Sequence, residues 1–409
     1  MSQSQFEIDP AGAGFDPQRL QRLDRHFARY VDDGRLAGWQ VLIARGGKIA
    51  HSSTCGLRNL ESADPVRDDT LFRIYSMTKP ITSVAAMMLY EEGAFELTDP
   101  VSDFIPSFAD LRVYTGGPAR EAQTRPAIEP MRIWHLLTHT SGLTYGFHRL
   151  HPTDEIYRQQ GFELGTPADL DLEGVCDVYA GMPLLFDPGS SWNYSVSTDV
   201  LGRVVEVASG MGLDEFFRTR IFEPLGMTDT GFAVPPESLD RLASLYVADS
   251  NGKAVRPKRP SVPETPPKAL SGGGGLVSSA HDYHRFTGML LGRGQLDGVR
   301  LLGDRTVRFM ARNHLPGGAH LDQLAHGSFS EVSNAGKGFG LGFAVVEDPV
   351  PSRVVASPGE LSWGGLASTA FWVDPAEELT VVFLTQLVPS STHPIRSQLH
   401  QMVYQALVD

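Results

Sequence analysis

Apolar positions recur along this chain with two different periods, and the periods change at recognisable breaks. Over residues 17–33, Leu20, Leu23, Phe27, Tyr30 and Val31 share one face and stop before Gly34, which predicts an amphipathic helix. Two short apolar runs follow, Trp39 to Ala44 and Ile49 to Ser53, on either side of Arg45-Gly46-Gly47-Lys48, and read as a β-hairpin. From Ile81 the helical period returns as Ile81, Val84, Ala85, Met88 and Leu89, ending at Gly93; Pro80 is tolerable only near a helix start. Leu97-Thr98-Asp99-Pro100 predicts a short helix through Phe104, residues 115–130 a loop, and Ile133 to Leu137 a buried helical turn feeding a loop from Thr138 to Gly146.

Residues 164–187 are mostly helical in pattern until the turn at Asp187-Pro188-Gly189-Ser190. Helices are expected from Asp199 to Ala208 and from Leu213 to Phe222, and a long surface loop over 248–269. Beyond Gly338 the pattern turns to strands, Phe339 to Val346, Ala367 to Val373 and Leu379 to Leu387, and closes with a helix from Pro394. The expected fold class is α+β. The expected arrangement is an antiparallel sheet flanked by helices, assembled from residues 1–75 and 271–409, around an inserted, mainly helical domain of residues 76–270.

Composition narrows the function classes. The chain has 409 residues, 41% of them hydrophobic, enough for a large core. A formal charge of −13 gives a nucleic-acid surface no electrostatic support, and a small-molecule substrate fits better. The polar N-terminus has neither a basic nor an apolar leader segment and no run is long enough to span a bilayer, so cytoplasmic residence without membrane association is expected. Cys55 and Cys176 offer no disulfide framework. His135/His139, His148/His151 and His281/His284 lack supporting ligands, so no metal and no cofactor is expected. Oligomeric state is not encoded in any pattern visible here.

The candidate chemistry lies at Ser76-Met77-Thr78-Lys79, placed in the first turn of the helix that continues from Ile81. Three residues apart, serine and lysine share one side of a helix, and a lysine with a lowered pKa can take the serine proton. The pattern is loose, and a second copy at Ser250-Asn251-Gly252-Lys253 sits in a turn-rich polar run without helical periodicity. Ser271 to Gly275 is glycine-dense but lacks the Gly-Lys-Ser/Thr of a phosphate cradle, which leaves close backbone approach at a site wall. No G-x-S-x-G elbow occurs, which excludes the α/β-hydrolase pattern.

Taken together, Ser76-Met77-Thr78-Lys79, Leu136 to Leu143, Tyr194-Ser195, Pro224-Leu225-Gly226-Met227, Gly273 to Leu276 and Trp363-Gly364-Gly365 resemble the serine β-lactamase and penicillin-binding-protein fold. Within it they are most similar to the class C β-lactamase-like family VIII carboxylesterases. The resemblance covers nearly the whole chain and implies Ser76 as nucleophile, with Lys79 and Tyr194 as its catalytic partners. It also implies an oxyanion hole from the backbone N–H groups of Ser76 and Leu366, the latter after Trp363-Gly364-Gly365 on an edge strand. Trp363, Gly364 and Gly365 then wall the site, and Tyr145, Phe147, Trp192 and Val196 are candidate pocket residues. Two departures bear on substrate. Trp363 stands where β-lactamases carry the lysine of Lys-Thr-Gly, and Val196 where they carry an asparagine. Both point away from anionic amides and towards hydrolysis of neutral esters, with weak β-lactam turnover as a side activity and acyl transfer, or β-lactamase or D-peptidase work, as the alternative readings.

Overall fold

The computed structural model describes residues 7–163, 165–257, 267–325 and 334–408. Its centre is an eight-stranded antiparallel sheet formed by β1 (Gly38–Arg45), β2 (Lys48–Asn59), β3 (Asp64–Pro65), β4 (Lys337–Phe339), β5 (Ala344–Val346), β6 (Leu361–Gly364), β7 (Ala370–Asp374) and β8 (Leu379–Thr385). The spatial order is β4-β5-β6-β7-β8-β1-β2-β3, so the two ends of the chain meet where β1 pairs with β8. The helices used below are α1 (Pro17–Asp32), α2 (Thr78–Glu91), α3 (Ile133–Leu137), α4 (Leu172–Ala180), α5 (Ser197–Ser209), α6 (Ala280–Leu291) and α7 (Ile395–Tyr404).

Both faces of the sheet are covered, which is why its strands read as continuous apolar runs rather than alternating ones. Val41, Ile43, Val381 and Phe383 point into a core with α1 and α7. Their neighbours Leu42, Ala44, Val382 and Leu384 point the other way, into the larger core shared with α2, α5 and α6. Helix α2 runs through that second core, and every residue from Thr78 to Leu89 is buried, so the single apolar face expected from Ile81 onward is widened to the full circumference.

Several expectations are corrected. Residues 115–130 are not a plain loop, because Arg112–Gly116 and Gln123–Pro126 pair as a hairpin turned at Gly117, φ +86°. Within 164–187 only α4 is helical; Gly165 and Pro167 precede it, and Asp171 caps it by accepting from the Gly174 N–H. The run from Phe339 to Val346 is two strands, β4 and β5, folded back at Gly340 and Gly342, φ +106°. Strand β7 starts only at Ala370, since Ser368 at φ +66° turns the chain before it. The helix through Phe104 is one 3-10 turn, Val101–Asp103. Part of the loop over 248–269 is strand, with Tyr246–Ala248 pairing Ala254–Val255, and residues 258–266 lie outside the described residues. Strand β6 is not at an edge: it lies between β5 and β7, although β5 pairs only Leu361 and Ser362 and leaves Trp363 and Gly364 without a partner on that side. No described helix is long and apolar enough to cross a membrane.

Candidate active site

Ser76 lies in a one-turn 3-10 segment, Tyr75–Met77, that leads directly into α2 rather than in the first α-helical turn. Tyr75 immediately before it has φ +44°, a left-handed conformation that costs a side-chain-bearing residue about 1 kcal/mol or more. Neighbouring backbone holds it there. Phe72 and Arg73 pair with Ser278 and Val277, and the Ile74 N–H donates to the Leu276 carbonyl at 3.1 Å.

The glycine-dense segment runs against the start of α2 and is tied to it residue by residue. Thr82 Oγ1 donates to the Gly272 carbonyl at 2.6 Å, Lys79 Nζ to the Gly273 carbonyl at 2.6 Å, and the Leu276 N–H to Thr78 Oγ1 at 3.2 Å. A Cβ at Gly273 would sit 2.7 Å from Asp199 Oδ2, so close approach is the reason for glycine there. Asp199, in the first turn of α5, accepts from the Gly273 N–H at 3.1 Å and from Ser271 Oγ. The sequence marks Asp199 only as the start of the helix expected from Asp199 to Ala208.

Lys79 is buried, and its three N–H donors meet three oxygens: Ser76 Oγ at 3.3 Å, Tyr145 OH at 3.0 Å and the Gly273 carbonyl. Its Nζ also lies 4.6 Å from the centre of the Tyr194 ring. Burial, with Asp199, Tyr194 and Tyr179 adding to it, pushes the Tyr145 phenol well above its ordinary range and keeps it neutral. Tyr145 is thus more than the pocket residue the sequence suggested: it holds the lysine.

Tyr194 is buried on a loop fixed from several directions. His148 Nε2 bonds its carbonyl at 2.7 Å, the Asn193 N–H donates to the His139 carbonyl at 3.0 Å, and Asn193 Nδ2 to the Leu143 carbonyl at 2.9 Å. Beside it, the hydroxyls of Ser195, Ser197 and Ser141 form a buried chain, with Ser195 Oγ 3.2 Å from His139 Nδ1. His139 is held neutral, well below its ordinary pKa, first by burial and then by Lys79 and His148. Trp363 Nε1 donates to Tyr194 OH at 3.3 Å, which ties β6 to the same cluster.

Ser76 opens into a cavity of about 270 Å³ whose lining includes Tyr145, Phe147, Tyr194, Val196, Asp199 and Leu366. Among the described residues the Leu366 N–H has no hydrogen-bond acceptor, while the adjoining Gly365 N–H is taken by the Thr369 carbonyl. Gly365 has no room for a Cβ, which would collide with Thr369 Oγ1 and come 2.5 Å from the Ile74 carbonyl; the close approach brings β6 up to the serine turn. Trp192, expected in this cavity, faces away, packing on Phe339 and lining a second cavity with Trp363 and Gly364. Leu366 belongs to both cavities. The second Ser-x-x-Lys copy is an exposed turn, in which Asp249 accepts from the N–H groups of Asn251 and Lys253.

Known proteins resemble this chain over nearly its full length. The beta-lactamase family model matches residues 23–402. Esterase EstB from Burkholderia gladioli is 34% identical, the match covering 97% of this chain and 98% of EstB. A methylbutanoyltransferase acting on ML-236A carboxylate, from Penicillium citrinum, is 28% identical over 94% of this chain and 93% of its own. The solved structure of EstCE1, described as a hydrolase with promiscuous acyltransferase activity, superposes with a TM-score of 0.78 at 29% identity, covering 95% of this chain and 98% of that one. With a family match over almost its full length and a 34% identical esterase relative, this chain belongs to the beta-lactamase family of serine hydrolases.

Proposed function

We propose that the protein is a carboxylesterase that hydrolyses small to medium carboxylic esters through an acyl-enzyme on Ser76. The observation that carries the reading is the buried Lys79 Nζ 3.3 Å from Ser76 Oγ, on the wall of a cavity that Tyr194 also lines. Lys79 and Tyr194 take the Ser76 proton as Oγ attacks the ester carbonyl carbon, and the N–H groups of Ser76 and Leu366 receive the oxyanion. Collapse expels the alcohol, protonated from the same pair, and water then releases the acid and regenerates Ser76. Acyl transfer to an alcohol is the second reading, favoured by the EstCE1 and methylbutanoyltransferase likenesses; it differs only in which acceptor attacks the acyl-enzyme. Two cysteines without a disulfide support the cytoplasmic placement.

The test is intact-mass analysis after treatment with a fluorophosphonate, followed by peptide mapping. One adduct on Ser76 is expected, together with turnover of a chromogenic short-chain ester that falls by about 10³-fold or more in Ser76→Ala. An adduct elsewhere, or a Ser76→Ala variant with undiminished turnover, rules the reading out. Added alcohol that diverts product from acid to new ester identifies transfer.

A further inference from the structure

The second cavity, of about 160 Å³, is lined by Trp363 and shares Leu366 with the lining of the active-site cavity. Trp192, Trp363 and Trp372 wall it, and Lys337 and Arg396 are on its lining, with no aspartate or glutamate among the described residues that line it. That is unexpected in a chain of net charge −13. Glu360, whose charge acts on Lys337, is fully buried and engaged by His400 Nε2 at 3.0 Å and Tyr404 OH at 3.1 Å. Arg396 reaches the Gly365 and Thr369 carbonyls of the β6–β7 connection, 3.3 Å each, whereas Lys337 Nζ bonds no described residue. Burial pulls the Lys337 ammonium below its ordinary range, against Glu360 and with a smaller contribution from Arg396, so an anion bonded to Lys337 offsets the cost of burying it.

We propose that this cavity is a carboxylate subsite, and that the substrate is an ester bearing a carboxylate on one side of its scissile bond. The inference rests on the Ser76 esterase reading: a carbonyl oxygen at the Leu366 N–H leaves one ester substituent in the first cavity and directs the other towards Lys337. The lysine that β-lactamases place at Trp363 is absent, and two cations behind the same strand stand in for it.

Two pairs of esters test the idea and locate the carboxylate. On the acyl side the pair is p-nitrophenyl hydrogen glutarate against p-nitrophenyl valerate, and on the alcohol side 3-carboxyphenyl butyrate against phenyl butyrate. Corrected for alkaline reactivity, the wild type is expected to favour the carboxylated member of one pair by about tenfold or more in kcat/KM. Lys337→Met should erase most of that preference through KM, and Lys337→Arg should restore it. No preference in either pair, or one that survives Lys337→Met, overturns the proposal. Glutarate binding read by tryptophan fluorescence separates the subsite from the chemistry. Saturable quenching in both wild type and Ser76→Ala, about tenfold weaker in Lys337→Met, supports the subsite even if no ester is turned over, and its absence counts against it.

Discussion

At the scale of single residues, the decisive feature is how Lys79 is held. A buried lysine head group without hydrogen-bond partners would cost several kcal/mol, and the fold supplies three oxygens, one of them the nucleophile. Tyr145 is the acceptor with no counterpart in the sequence motif. Because its phenol stays neutral, it accepts from the lysine without competing for the Ser76 proton. Tyr145→Phe should therefore lower kcat by about 10–100-fold, the worth of one hydrogen bond to a charged group, with a smaller change in KM. Steady-state kinetics on a chromogenic ester measure it; an unchanged kcat means Tyr145 only fills space. Ser76 and Lys79 were legible because their spacing is local, spanning a 3-10 turn and the helix it leads into. The lysine's other contacts join residues 66 and 194 positions away, which no local pattern reports.

At the scale of elements, the site is a meeting of three backbone segments: the serine turn, the glycine-dense segment and the end of β6. The glycines are the condition of that meeting. Gly273→Ala would place a methyl group against the Asp199 carboxylate that fixes the segment, displacing the carbonyl that receives Lys79. The expected outcome is a loss of about 1–3 kcal/mol in denaturant unfolding and a fall in kcat of about tenfold or more. Retention of both would show that the segment shifts freely. Long apolar runs such as β1 and β8 were readable because burial on both faces leaves an unbroken signal. Helix α6 was missed because Ala280 to Leu291 mixes histidines, Asp282 and Arg285 with its buried Tyr283, Phe286 and Leu290; its Ser279 cap was the available sign. The hairpin over residues 112–126 and the split of β4 from β5 escaped for another reason, since in both a glycine at positive φ turns the chain inside what reads as one stretch.

At the scale of the whole molecule, both chain ends and the middle are locked into one stack, with α1 and α7 on one face of the sheet and α6 with the buried helices on the other. Two histidines sit within this packing and are held neutral, each with its pKa lowered to about 4: His284 by burial, His281 and Arg285, and His135 by burial and Arg132. His135 Nδ1 accepts the Arg132 N–H at 3.1 Å and His284 Nδ1 lies 3.4 Å from Thr380 Oγ1, so protonating either nitrogen disrupts a contact. Unfolded, each histidine titrates near the ordinary imidazole value of 6.5. Below that pH the unfolded chain binds protons that the folded chain refuses, and stability falls as pH drops. The contribution is complete above pH 6.5, declines from there, and is gone once pH passes below about 4. Urea midpoints should accordingly be flat near neutrality and decrease steadily from about pH 6.5 to 4. His284→Gln, which cannot ionise, should shallow that slope even if it lowers the midpoint at pH 7. An identical slope in the variant would assign the acid sensitivity to groups other than this histidine.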